Sequence, residues 1–479
     1  MIVGGRRLTL SDLILVGGIA TIATLFCEDI LGGAAFVVVW GVWRLLRREG
    51  GVPVLAAALT FQWMQTTIGI WYFGLTGRRI DTMYLSDYRP MVFIGLGCVV
   101  ALAAGLYAGI AAMKRMSRSQ GDVEDVSMHI EWPMLIGCYI AATALQGTLQ
   151  VLAYQIPELT QPILAFRFIR LGVVYLVMRR LTTPVPRLSW VCALVVAEIA
   201  LGLTGYFAGF REPLVMIALA LYELFNPRRL RHWVGTAAFA ALLLVLSVLW
   251  INVRREFRAS FEDESFAVSR QAQFDRMWEL STAWFRETHE AREMDKLIDR
   301  LWVVYYPALA VSRVPLLLPH TDGRLMSQAL EHVFNPRLFF PTKAELQSDS
   351  EMVRKYSGVM VAGAETGTSI AFGYAAESYI DYGVPWMFVP MVVYGFIMGI
   401  AYRYLATHIR HTEVRTGLLA VVFWLALYLF ERSWVKTLGL AGTLLLYLGG
   451  PALFLDYYLT QLDRRRQRAR EPRLPVFAP

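Results

Sequence analysis

Apolar runs of membrane-span length recur along nearly the whole chain, with clusters of charged residues between them. A bilayer core is about 30 Å thick, so a helix that crosses it needs roughly 17–25 predominantly apolar residues. Backbone groups in lipid must also be hydrogen-bonded internally, which favours helices. The composition agrees, because 56% of the 479 residues are hydrophobic and only 18% are charged. The sequence therefore predicts an all-α polytopic membrane protein.

We predict about twelve transmembrane helices from these runs. They cover residues 9–26, 30–46, 52–75, 91–113, 132–152, 162–178, 188–209, 212–226, 232–252, 384–402, 414–430 and 438–458. The pattern divides the chain into four parts: an N-terminal membrane bundle of about nine helices over 1–253, a large loop over 254–383, C-terminal membrane helices over 384–460 and a basic tail over 461–479.

The net charge of +8 has a topological explanation. Arginine and lysine clusters fall in alternate connections between the runs, with a few exceptions that include Arg211, Arg432 and Lys436. The positive-inside rule then places both termini in the cytoplasm and the large loop outside. A nucleic-acid partner is not indicated. The first apolar run lacks a small-residue cleavage site and leads directly into another, so we expect an anchor and not a cleaved signal peptide.

The large loop has two halves of different character. Residues 270–300 place apolar side chains at helical spacing beside a densely charged face, which is typical of an amphipathic helix on a membrane or over a bundle. The second half is rich in Pro, Asp, Ser and Gly and predicts an ordered functional loop with short helical pieces. A single large loop after the ninth run does not match the two repeated halves of many transporters.

Two arginines interrupt the run at 162–178. An arginine at the centre of a membrane helix costs about 2.5–3.5 kcal/mol unless it is paired or hydrated. Arg167 and Arg170 are three residues apart and would share one helix face. Glu198 in the next run lies at a similar depth, about 12–17 Å from the outer end of its helix. We therefore predict a structural ion pair between Arg170 and Glu198, with Arg167 left to face an anionic group that enters from outside.

Arg211 begins the next run, just after three closely spaced glycines and just before Pro213. Proline is well suited to a first helical turn. A guanidinium beside the free N–H groups of a helix start can bind an anion. The simpler alternative is an interfacial arginine whose charged group reaches the membrane surface.

The second half of the loop supplies further ionisable groups. Arg324 and Arg337 could add positive charge, and His320 could exchange a proton. Glu377 and Asp381 are four residues apart, so they could form an acid/base site, a cation site or only a polar helix end. We find no Walker loop, dinucleotide fingerprint, HExxH or GxSxG motif, and we predict neither a metal nor a cofactor.

Two segments resemble bacterial O-antigen and exopolysaccharide polymerases of the Wzy type, and more distantly the O-antigen ligases. They are "GFREPLVMIALALYELF", which contains Arg211, and "AAESYIDYGVPWMFVPMVVYGFIMGIAYR", which contains Glu377 and Asp381. The order of about a dozen spans, with one dominant external loop before the last few, is also similar to these families.

The resemblance implies a GT-C-like fold in the bacterial inner membrane and metal-independent, inverting glycosyl transfer at its periplasmic face. The substrates would be oligosaccharide repeat units on undecaprenyl diphosphate, polymerised into a surface polysaccharide or exopolysaccharide. Membrane lipid, a chain-length regulator and other envelope-assembly proteins would be the partners. Arginines would hold the diphosphate, with Arg211 first and Arg167, Arg324 and Arg337 assisting. The base would be Glu377, Asp381 or His320. The alternatives are a lipid-linked glycan flippase or other transporter, an O-antigen ligase, and a non-catalytic membrane subunit of an envelope assembly.

Overall fold

A computed structural model provides the fold of the chain. It describes residues 2–470 apart from short segments at 4–5, 8, 48–51, 78–86, 118–129, 157–158, 184–186, 204–209, 224, 226–228, 261–269, 287–291, 336–339, 341–346 and 364–368.

The regular secondary structure of the described residues is helical apart from one short antiparallel ladder, in which β1 (Ile2–Val3) pairs with β2 (Arg6–Arg7). The helices are α1 (Leu10–Cys27), α2 (Ile30–Leu46), α3 (Val54–Thr76), α4 (Arg89–Ser117), α5 (Trp132–Gln155), α6 (Thr160–Arg167), α7 (Ile169–Thr182), α8 (Leu188–Leu203), α9 (Arg211–Tyr222), α10 (Leu230–Ala259), α11 (Arg270–Arg286), α12 (Arg292–Leu301), α13 (Tyr305–Arg313), α14 (Arg324–Phe334), α15 (Asp349–Ser357), α16 (Tyr374–Tyr382), α17 (Phe388–His408), α18 (Thr412–Leu427), α19 (Trp434–Leu444) and α20 (Gly450–Arg470). A π-helical turn, Leu445–Gly449, joins α19 to α20.

Seven stretches of helix among the described residues are long and apolar enough to cross a membrane, as in a multi-pass helical membrane protein. They are Leu10–Cys27, Arg89–Met116, Trp132–Ala153, Thr160–Thr182, Leu230–Phe257, Phe388–His408 and Trp434–Leu462. Ile30–Leu46 and Leu188–Leu203 are shorter apolar helices. Each apolar run in the sequence overlaps at least one helix.

The run at 162–178 is helical with one irregular residue, Phe168. Arg167 ends α6, Phe168 forms a turn, and α7 starts at Ile169. Phe168 keeps near-helical backbone angles (φ −75°, ψ −11°), and the two segments together form the candidate span Thr160–Thr182. That Arg167 and Arg170 share one helix face stays a prediction. Within the amphipathic stretch at 270–300, the described residues form α11 and α12.

Helices α4 and α17 pack closely through glycines spaced four residues apart. A Cβ on Gly105 or Gly109 of α4 would collide with the α17 backbone, and one on Gly395 or Gly399 would collide with α4. Small residues at this spacing let helix backbones approach each other in membranes. The contact holds α17 firmly against the N-terminal bundle.

The large loop is packed onto the bundle through α12 and the residue that follows it. Trp302 is 2% exposed; its ring packs against Gly69, and its Nε1 donates to the Thr66 carbonyl at 2.9 Å. The Tyr72 hydroxyl donates to Asp295 at 2.6 Å. We call this end of the bundle the loop side. Trp302 thus anchors the loop to α3.

Candidate functional site

The candidate site surrounds the turn Tyr428–Ser433 between α18 and α19, which lies inside the bundle. Phe430 is fully buried, and its N–H donates to the Gln65 side chain at 2.9 Å. The Gln62 amide donates to the Leu427 carbonyl. Gln65 is near the middle of α3, about 16 Å below its loop-side end at 1.5 Å per residue. The turn is therefore recessed below the surface of the loop side.

Two arginines approach the same aromatic ring in this recess. The guanidinium carbons of Arg211 and Arg432 lie 5.5 Å and 5.6 Å from the centre of the Tyr428 ring. Arg211 also donates to the Tyr428 hydroxyl at 3.0 Å, and Arg432 donates to the Leu425 carbonyl at 2.8 Å. Tyr428 is 3% exposed. The buried ring, which also stacks on Trp424, attracts both guanidinium groups by cation–π interaction and fixes two positive charges near one point.

Two carboxylates partly balance these charges. Glu212 accepts from Arg211 at 3.0 Å. Glu431 accepts hydrogen bonds from the two terminal guanidinium nitrogens of Arg300, at 2.9 Å and 3.4 Å. The guanidinium groups of Arg211, Arg300 and Arg432 thus meet the carboxylates of Glu212 and Glu431 around the turn. Arg300 belongs to α12, and its ion pair ties the large loop to the site.

Glu377 borders the other side of the same turn. Its Oε2 accepts the N–H of Trp434, the first residue of α19, at 2.8 Å. The neighbouring Ser378 accepts from Trp434 Nε1 at 2.7 Å, and the N–H of Tyr374 donates to the Arg432 carbonyl at 2.8 Å. These contacts hold α16 against the turn that carries Arg432.

Tyr374, at the start of α16, is bonded to Arg432. Glu377 lies one helical turn after Tyr374 and is bonded to Trp434. Burial raises the pKa of Glu377 from 4.5 to about 8, and the charges of Asp349 and Asp381 act in the same direction. The Trp434 N–H bond and Lys436 oppose that rise. A carboxyl group with such a pKa can exchange a proton close to neutral pH.

Asp381 has a different environment from Glu377. Its carboxylate accepts the N–H groups of Leu325 at 3.0 Å and Met326 at 2.8 Å, together with the Thr321 hydroxyl. Asp381 is 1% exposed and caps the start of α14 in the manner of an N-cap side chain. The two carboxylates thus bind the N-terminal turns of different helices. The structure does not join them into one acid/base pair.

His320 belongs to the same junction between α14 and α16. Its Nδ1 lies 3.2 Å from the Ile380 carbonyl, and its ring meets that of Tyr379 edge to face with centroids 5.7 Å apart. Arg324 begins α14 and has an exposed side chain. The structure therefore groups His320, Arg324 and Asp381 at this junction, whereas Arg211 and Glu377 border the recessed turn.

The remaining predicted diphosphate ligands are Arg167 and Arg337. Arg167 is partly buried at the end of α6. Arg337 lies outside the described residues. Neither residue is therefore assigned to the arrangement around Tyr428.

The predicted pair of Arg170 and Glu198 is present. Arg170 Nη2 lies 2.5 Å from Glu198 Oε2, and the side chains are 5% and 0% exposed. Tyr139 donates to the other Glu198 oxygen at 2.6 Å, and Arg170 Nε donates to Thr143 at 3.1 Å. Each charged group has a second polar partner, which is what a buried ion pair requires. The cluster ties α5, α7 and α8 together.

Sequence reasoning did not identify Arg432, Tyr428 or Arg300 as site residues. Arg432 did carry a signal, because it is a cation in a short connection that the positive-inside pattern expects to be poor in cations. Among the described residues, no group of three or more His, Cys, Asp or Glu side chains could hold a metal ion.

Comparisons with known proteins identify one family. The family described as "Domain of unknown function (DUF8712)" matches residues 97–404, well over half of the chain. The match includes Arg211 and Glu377 and ends before Arg432. The comparison with curated proteins and the comparison with solved structures each found no match. The chain belongs to the DUF8712 family.

Proposed function

We propose that the chain is a glycosyltransferase of about twelve spans and GT-C-like architecture in the bacterial inner membrane. It would polymerise oligosaccharide repeat units linked to undecaprenyl diphosphate at the periplasmic face. The observation that carries this proposal is the placement of Arg211 and Arg432 on one ring, at a turn that Glu377 also borders.

The arginines suit a diphosphate leaving group. Guanidinium groups match phosphate oxygens with paired N–H donors and keep their charge at all relevant pH values. The guanidinium groups at the turn would stabilise the negative charge that develops as the bond to the diphosphate breaks. The arginines are already oriented by Tyr428, Glu212 and the Leu425 carbonyl, so little reorganisation would be needed.

Glu377 suits the role of base. In the proposed step, the acceptor hydroxyl oxygen attacks the anomeric carbon and its proton passes to the ionised Glu377. The bond from that carbon to the diphosphate oxygen breaks, and the diphosphate leaves with the electron pair. Attack opposite to the leaving group inverts the anomeric centre. The raised pKa makes the ionised carboxylate a stronger base than an ordinary glutamate.

Lipid-linked intermediates in a deletion strain test the proposal. Loss of a polymerase should leave single repeat units on lipid at the outer face of the membrane. Repeat units trapped on the inner face would instead indicate a flippase, and finished polymer retained on lipid would indicate a ligase. If the deletion strain had the same lipid-linked intermediates and the same polymer as wild type, the protein would have only a non-catalytic role.

Complementation then tests the site. The wild-type gene should restore long polymer, and Arg211→Gln at normal membrane levels should not. Arg276→Gln is a matched control, because Arg276 lies in the large loop and pairs with Glu279 on its own helix. Full polymer from Arg211→Gln would remove Arg211 from the site.

A further inference from the structure

An apolar cleft of about 490 Å³ opens between α14, α17 and α19. This volume is within the range of small-molecule sites, about 300–1,000 Å³. Its walls include Met326 and Leu330 from α14, Val389 and Val393 from α17, and Trp434 and Leu438 from α19.

The polar groups of two aromatic lining residues are bonded to protein. The Tyr394 hydroxyl donates to the Ala426 carbonyl at 2.9 Å, and Trp434 Nε1 donates to Ser378 at 2.7 Å. Tyr382 and Trp386 also line the cleft, and the lining surface as a whole is mainly carbon. A polar ligand would lose its hydration there without gaining matching hydrogen bonds.

The cleft lies along helices that can cross a membrane. Two of its walls belong to the candidate spans Phe388–His408 and Trp434–Leu462. Val389, Val393 and Ile397 follow one another at four-residue spacing and are 50%, 51% and 54% exposed. This exposed row extends about 12 Å along α17. For the part of such a row that lies within the bilayer core, hydrocarbon and not water is the solvent.

The third wall makes the cleft more than an ordinary lipid-facing surface. Helix α14 belongs to the large loop, and Asp381 fixes its N-terminal turn. Leu330 of α14 is 39% exposed and faces the cleft. The result is a slot with protein on both sides.

We propose that this cleft binds one hydrocarbon chain of a membrane lipid, either alkyl or isoprenoid, from the leaflet on the loop side. Trp434 forms part of the wall and also donates its backbone N–H to Glu377. If the chain is isoprenoid, its polar end would lie toward the recessed turn. That last placement rests on the proposed function, whereas hydrocarbon binding does not.

Photolabelling of the purified full-length protein in nanodiscs tests the site. One arm uses a phospholipid with a diazirine in its acyl chain, and the other uses a polyprenyl diphosphate with a diazirine in its chain. Peptide mapping should find labels concentrated on α14, α17 and α19 in at least one arm. The arm that labels identifies the source of the chain.

Two substitutions that fill the cleft from different walls keep the test independent of one folding defect. Val393→Trp and Leu330→Trp should each strongly reduce the label on the cleft helices. Ile140→Trp is the matched control, since Ile140 of α5 is 61% exposed and lies outside the cleft lining. Cleft labelling no stronger than that of α5, or undiminished in both filled variants, would overturn the proposal. Normal polymer from Arg211→Gln would count against the proposed catalytic site and leave this labelling result intact.

Discussion

The Glu377 carboxylate accepts the backbone N–H of Trp434 at 2.8 Å and so joins the loop helix α16 to the start of α19. An acidic side chain at a helix N-terminus is favourable because it meets unpaired N–H groups and the positive end of the helix dipole. Glu377 nevertheless has a raised pKa, because burial outweighs that bond. This residue therefore combines a structural contact with the ability to exchange a proton.

Glu377→Gln should flatten the pH dependence of stability. The folded-state pKa of about 8 lies above the ordinary 4.5, so the folded protein holds this proton more tightly than the unfolded chain. Wild type should therefore lose stability as pH rises from about 4.5 to about 8. Glutamine keeps an acceptor for the Trp434 N–H and has no charge to bury. Melting temperatures should be measured from pH 5 to pH 9. The melting temperature of the variant should rise relative to that of wild type as pH rises.

Glu279→Gln is the control for that measurement, because Glu279 is exposed on α11. It should follow wild type across the pH range. Parallel curves for wild type and Glu377→Gln would show that Glu377 titrates normally, and its role as a base with raised pKa would be lost.

Arg432 should be as necessary as Arg211 for glycosyl transfer. Removing one preorganised donor from a site that stabilises developing charge typically lowers the rate about 10²–10³-fold. Arg432→Gln should show a loss of that order, and Arg432→Lys should recover little of it because lysine lacks the paired donors. Transfer by purified variants at equal concentration provides the measurement. Near-normal transfer by well-folded Arg432→Gln would restrict the anion site to Arg211.

Some of the charged residues described above can be predicted from the sequence, and others cannot. Arg211 stands at the start of an apolar run, and Arg170 and Glu198 lie at matching depths in neighbouring runs, so local spacing identifies them. The role of Arg432 depends on how deeply the α18–α19 turn sits against Gln62 and Gln65 of α3. That depth comes from tertiary packing, which hydrophobic periodicity does not encode.

The irregular turn at Phe168, between α6 and α7, is likewise not predictable from the sequence. The segment "AFRFIR" contains neither Pro nor Gly, the residues that most often interrupt a helix. For Asp381 the spacing from Glu377 left three readings open: an acid/base site, a cation site or a polar helix end. In the structure, the start of α14 occupies that carboxylate, and α14 is adjacent only because the loop folds back.

Asp381→Ala should lower stability without a specific effect on chemistry. The substitution leaves two N–H groups at the start of α14 without their acceptor, and loss of a helix cap typically costs about 0.5–2 kcal/mol. Asp381→Asn retains one acceptor oxygen and should cost less. Thermal unfolding and transfer activity per folded molecule should be measured together. A large loss of activity in stable Asp381→Asn would make this residue a candidate base again.

Arg170 and Glu198 should be energetically coupled. Removal of one partner leaves a buried charge unpaired, and breaking a buried pair typically costs about 3–5 kcal/mol. Glu198→Gln should therefore reduce the yield of folded protein, and adding Arg170→Met should recover part of it. Folded yield can be measured by detergent extraction and size-exclusion chromatography. Losses that simply add in the double variant would contradict coupling between the two side chains.

The large loop should lie outside the cytoplasm, because the cation clusters alternate around it. Gln328 and Gln347 are exposed residues of this loop, whereas Thr183 is exposed in a connection predicted to be cytoplasmic. Each can be replaced by cysteine in a background that lacks Cys27, Cys98, Cys138 and Cys192. An impermeant maleimide should label Gln328→Cys and Gln347→Cys in intact spheroplasts and should label Thr183→Cys only after lysis. The reverse pattern would place the recessed turn on the cytoplasmic side, where a periplasmic polymerase could not use it.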